Sequence, residues 1–170
     1  MRRSLVPILS LAIGACVPQT APPAPPPTPV PVVPVAPPPV PTASSDWRDW
    51  PLTPGDWTYR AEPGGSVARF GAAGGDALLT LRCDRATRRI GMTVAGGGAA
   101  PLTIRTSSLV RTLPVQPGAA AAGITLAATD GLLDAIGFSR GRFVIERGGA
   151  ATLVVPAWAE IERVTEDCRG

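Results

Sequence analysis

The chain reads as α+β, mostly β: a compact antiparallel sheet or small sandwich/barrel, with one short inner helix and a C-terminal helix pinned by a disulfide. Three observations predict this. Short apolar runs of period two, broken by Gly-rich turns, recur from Trp57 onward. The apolar period lengthens to a helical one near residue 130 and again after Pro156. Finally, Cys83 and Cys168 both fall on inward positions, one on a strand and one on the last helix. Residues 46–170 suffice for one domain with a core and are too few for two.

The segment before residue 46 has a different character. Met1-Arg2-Arg3 gives a positive start, and the apolar run Leu5 to Ile13, interrupted by Pro7, is too brief to cross a bilayer as a helix. Residues 1–15 therefore read as a signal peptide. Ile13-Gly14-Ala15-Cys16 resembles the lipobox of bacterial lipoproteins, an aliphatic residue and two small ones before a cysteine. The resemblance implies lipidation of Cys16, removal of the peptide before it, and acylation of the new amine. Each buried methylene of such an anchor contributes about 0.8 kcal/mol, so several chains hold firmly where one is marginal. Val17 is not aspartate, which by the same resemblance favours the outer membrane, facing the periplasm. The other reading is ordinary secretion with Cys16 incidental.

Residues 16–45 form the expected tether. From Pro18 to Thr42 thirteen prolines stand in twenty-five residues without a charge. Proline fixes φ and lacks the amide donor, so an extended polyproline II rod is expected, reaching on the order of 75 Å. Pro34-Val35-Ala36-Pro37 would also suit an aromatic groove, although a spacer already accounts for the composition.

Asp46-Trp47-Arg48-Asp49-Trp50-Pro51 opens the domain, and Pro54-Gly55-Asp56 is a turn. Trp47 and Trp50, where tether meets domain, are expected to cover a sheet edge. Trp57 to Arg60 alternates as a half-buried strand, and Ser66 to Phe70 is the next, after Glu62-Pro63-Gly64-Gly65. The clearest strand, Ala77 to Cys83, puts Leu79, Leu81 and Cys83 on one face. A hairpin connection Asp84-Arg85-Ala86-Thr87 leads to Arg88–Val94, with Ile90, Met92 and Val94 in phase. Further strands are expected at Leu102–Thr106, Leu109–Leu113 and Gly123–Ala128.

Asp130 should cap a short helix through Gly137, with Leu132, Leu133 and Ile136 facing one way. Arg142 to Glu146 and Thr152 to Val155 make a closing hairpin around Gly148-Gly149. Pro156 suits the first turn of the last helix, in which Trp158, Ile161, Val164 and Cys168 form an apolar stripe. With both remaining cysteines inward, a Cys83–Cys168 bridge is the expected pairing outside the cytoplasm. Closing a loop of about 86 residues contributes at most roughly 4.6 kcal/mol.

Composition excludes several chemistries. All sixteen basic residues are arginine, and there is no histidine. The commonest general base, the commonest nitrogen metal ligand and Schiff-base chemistry are thereby removed, and two cysteines cannot build a Cys-rich zinc site. No metal, no cofactor and no enzyme activity are expected. Removing Arg2 and Arg3 with the signal leaves fourteen arginines against thirteen acids, a formal +1, so the basic pI does not argue for nucleic acid.

Candidate sites remain. Arg82, Arg85, Arg88 and Arg89 surround one hairpin and suit phosphate or carboxylate, or else an ordinary solvated turn neutralised by Asp84. Ser139-Arg140-Gly141-Arg142 offers a further anion cradle. Ser107, Ser108 and Ser139 lack the usual base for nucleophilic work. Asp130 and Asp134, one helical turn apart, are a formal carboxylate pair but read better as a cap and its solvent-facing neighbour; Glu160 and Glu162 share no face. Trp57 reads as strand filling and Trp158 as core.

The order Leu79-Thr80-Leu81-Arg82-Cys83, charged turn, second strand, Leu132-Leu133 helix, Arg142-Phe143-Val144-Ile145 and a terminal helix ending in Cys168 resembles small proteobacterial periplasmic domains. They are the invasion-associated locus B type and the type VI secretion-associated lipoprotein type, and the match covers residues 77 to 168. The resemblance implies a periplasmic β-rich domain with a strand-to-helix disulfide and no established catalysis. The proline stalk and the Gly/Ala loops depart from it. The expected function is non-catalytic binding or assembly with an envelope protein or cell-wall component. A lysozyme-inhibitor-like module and a carboxylate-based wall hydrolase are the alternatives.

Overall fold

The computed structural model describes residues 46–117 and 121–170. The expected signal peptide, the lipidated Cys16 and the proline tether lie outside the described residues.

In chain order the strands are β1 (Asp56–Glu62), β2 (Gly65–Gly71), β3 (Ala77–Asp84), β4 (Arg89–Ala95), β5 (Leu102–Arg105), β6 (Val110–Leu113), β7 (Gln116–Pro117) and β8 (Ala121–Ala127). After them come helix α1 (Gly131–Gly137), β9 (Arg142–Arg147), β10 (Leu153–Pro156) and helix α2 (Ala159–Arg169). They form two antiparallel sheets. One has the order β1-β2-β3-β4-β8-β7 and the other β10-β9-β5-β6. Of the expected alternatives, two sheets sharing one core is what forms.

Alternation explains the core. In the larger sheet the pairing aligns Trp57, Phe70, Leu79, Val94 and Ala122 in one inward row, and Tyr59, Ala68, Leu81, Met92 and Ile124 in the next. A third row holds Ser66, Cys83, Ile90 and Leu126. From the smaller sheet Leu102, Ile104, Phe143, Ile145, Leu153 and Val155 join the same buried cluster. The Trp57 indole Nε1 donates to the Pro156 carbonyl at 2.9 Å, tying one sheet to the other. Gly65 is required where β2 meets β3, since a Cβ there would lie 2.0 Å from the Cys83 carbonyl oxygen.

The helices close the end at which β3 ends and β4 begins. Asp130 caps α1 by accepting from the Leu132 amide at 2.9 Å, and Leu132, Leu133 and Ile136 are buried as expected. Ile161, Val164 and Cys168 of α2 are buried too, and Cys168 is disulfide-bonded to Cys83, with 5.4 Å between the Cα atoms. Two expectations are corrected here. Pro156 does not open the helix but ends β10, paired with Arg142. Trp158 is therefore the extended N-cap of α2 and 46% exposed, off the stripe of which it was expected to be the first member.

Candidate functional site

The arginine hairpin is built by Asp84, whose Oδ1 accepts from the amides of Ala86 at 3.0 Å and Thr87 at 3.3 Å. Hydrogen bonds from Thr87 hold the Asp84 carboxyl below its usual range. Arg88 closes the turn in the left-handed region, with φ 51°. The fold then divides the four arginines. Arg85 Nε donates to the Asp167 carbonyl at 3.2 Å and an Arg88 guanidinium nitrogen donates to the Arg169 carbonyl, so both satisfy carbonyls at the end of α2. Arg82 pairs with Glu62. Arg89 is exposed, with no ion pair among the described residues. The structure thus brings no two of them onto a shared partner.

A second basic feature lies on the outer face of the larger sheet. Strand alternation and register place Thr58, Arg69, Thr80 and Thr93 in one outward row, and Arg60, Val67, Arg82 and Gly91 in the next. The connection 71–77 stands over one end of this face and completes an open groove of about 620 Å³, lined in part by Asp56, Thr58, Arg60, Arg69, Asp76 and Thr80. The Arg60 and Arg69 guanidinium groups have no ion pair among the described residues. They stand on neighbouring strands in diagonal register, so they repel one another and both favour an anion between them. Sequence reading missed this pair. The polar phase of each strand was visible, but the register that sets Thr58 opposite Arg69 and Arg60 opposite Val67 was not.

The remaining candidates have structural partners. Ser139 Oγ donates to the Arg142 carbonyl at 2.5 Å and accepts from the Ser107 amide at 3.0 Å, while Ser107 Oγ accepts from the Arg140 amide at 3.2 Å. These serines hold two loops together, and Arg142 of the expected cradle donates to the Trp50 carbonyl. Burial alone would raise the Asp130 pKa, but the Leu132 amide and Arg111, at 2.7 Å, hold it below the usual range. Asp134 keeps the partly solvent-facing side chain expected, 43% exposed, and also pairs with Arg169 at 2.7 Å, joining α1 to α2. Trp47 and Trp50 are half-buried, and the segment they begin follows the free edge of β10. There the Thr53 amide donates to the Val154 carbonyl at 2.9 Å, and the Val154 amide donates to Thr53 Oγ1 at 3.0 Å.

Among the described residues no group of three or more His, Cys, Asp or Glu is gathered to hold a metal, and no helix is long and apolar enough to cross a membrane. No protein-family model, curated protein or solved structure matches the chain.

Proposed function

We propose that this chain is a lipid-anchored cell-envelope protein, held through Cys16 at the outer membrane, whose residues 46–170 form a non-catalytic module that binds another envelope component. The lipobox-like Ile13-Gly14-Ala15-Cys16 and the proline-rich stretch after it support the anchored, displayed arrangement. The observation that carries the binding reading is the outer-face groove, where Arg60 and Arg69, without an ion pair among the described residues, present two guanidinium forks beside threonine hydroxyls and the carboxylates of Asp56 and Asp76. A partner presenting carboxylates or phosphates fits that chemistry, whether an acidic envelope protein or the cell wall itself.

The test is an envelope pull-down with tagged, oxidised residues 46–170, scoring retained proteins and retained sacculi together. Retention of one protein at moderate salt names the partner, and retention on sacculi alone moves the reading to wall binding. Reversing both groove arginines, Arg60→Glu with Arg69→Glu, should weaken retention about tenfold, equivalent to about 1.4 kcal/mol from two exposed charge contacts. Unchanged retention would remove the groove from the reading. Release of soluble fragments from sacculi would make the protein an enzyme.

A further inference from the structure

At the end of the two sheets opposite α2, strand β9 finishes with an arginine on its inward phase. Phe143, Ile145 and Arg147 alternate toward the core, and Arg147 stands opposite Leu102 in the β5–β9 register. Arg147 is only 8% exposed. Its Nη2 donates to the Ala95 carbonyl at 3.3 Å, but its Nη1 is buried with no hydrogen-bond partner among the described residues. Among the described residues it has no ion pair, and no acid lines the cleft around it. A guanidinium cannot shed its proton to relieve burial, so a buried arginine without a counter-charge is costly unless an anion completes it.

The cleft beside Arg147 has a volume of about 410 Å³, within the range of small-ligand sites, about 300 to 1,000 Å³. Its apolar wall is made by Leu78, Val94, Ile145 and Leu153 from both sheets. Two turns of small residues, Gly96-Gly97 and Gly149-Ala150-Ala151, form its rim and put no bulky side chain into the opening. Gly96 lies against the arginine itself, where a Cβ would stand 3.0 Å from Nη2.

We propose that this cleft binds an amphipathic carboxylate of the fatty-acid class, with the carboxylate paired to the Arg147 guanidinium and the alkyl chain along Leu78, Val94, Ile145 and Leu153. One guanidinium with no second cation in the lining suits a single negative charge better than a phosphate dianion. Most of the remaining wall is apolar and suits a hydrocarbon chain. The site is separate from the outer-face groove, and neither reading depends on the other.

The test is isothermal titration calorimetry of residues 16–170 carrying Cys16→Ser, so that no covalent acyl chain competes, with dodecanoate as probe. One saturable site is expected, with affinity rising about fourfold per methylene from octanoate to dodecanoate. Dodecanol should bind at least tenfold more weakly, and so should dodecanoate to the Arg147→Met variant. Because Arg147→Met removes a buried side chain, Ala150→Phe serves as the second variant. It fills the cleft from an exposed rim position, keeps Arg147, and should abolish binding with an unchanged circular dichroism spectrum. The proposal is overturned by dodecanol binding as tightly as dodecanoate, by Ala150→Phe leaving the affinity unchanged, by acetate competing at equal concentration, or by the absence of saturable binding.

Discussion

Glu162 shows how one side chain sets a pH dependence. Its Oε1 is buried without a hydrogen-bond partner among the described residues, and it lies so close over Gly137 that a Cβ there would stand 1.5 Å from it. Burial pushes its pKa up, Asp134 and Glu166 add to the rise, and Arg169 opposes it. A carboxyl whose folded pKa exceeds its unfolded one contributes stability in acid, below the unfolded value, and loses it as pH rises through the folded value. Glu162→Gln should therefore be more stable than the parent at pH 8 and no more stable at pH 4, as read from urea midpoints with unchanged slopes. Asp167 has the opposite sign. Tyr59 donates to its Oδ2 at 2.6 Å, which holds its pKa below the usual range, so this contribution is present above the unfolded pKa and is lost as pH falls through the folded one. Arg163 stacks over the same Tyr59 ring, 4.0 Å from its centroid.

At the level of elements, α1 depends on its cap. It has seven residues, too few to persist by helix propensity, so the Asp130 cap and the buried Leu132, Leu133 and Ile136 must hold it in place. Asp130→Ala should cost about 1 kcal/mol from the cap, and more if Arg111 is left without a counter-charge, measured by denaturant unfolding. This helix was legible in the sequence because cap, period and length agreed. Strands β3 and β4 were legible because strict alternation put Leu79, Leu81 and Cys83 against Ile90, Met92 and Val94. Sheet membership was not legible. Alternation in Leu102–Arg105 and in Ala121–Ala127 reads the same, yet β8 pairs with β4 while β5 joins the second sheet. Trp158 was misread because proline is at home both at a helix start and at the end of an edge strand, and pairing with Arg142 decided for the strand. The arginine hairpin was misleading because adjacency in the chain does not fix direction. Two of its guanidinium groups turn to the terminal carbonyls of α2, which no local pattern reveals.

For the whole molecule the decisive link is Cys83–Cys168, which spans 85 residues and holds the last helix on the larger sheet. Breaking it with Cys168→Ser should lower unfolding stability by up to about 4.6 kcal/mol, and amide exchange should accelerate first in α2. A fall that spares α2 would mean that Ile161 and Val164 hold the helix without the bond. The same covalent link has a mechanical consequence. In an oxidised molecule stretched between residue 46 and residue 170, the load bypasses residues 84–167, which lie inside the closed loop and cannot lengthen between the two pulling points. Force entering at residue 46 meets the Thr53–Val154 bonds on the edge of β10 first and then β1, β2 and most of β3. Most of the core, α1 and the Arg147 cleft included, would add no contour length however hard the chain is pulled.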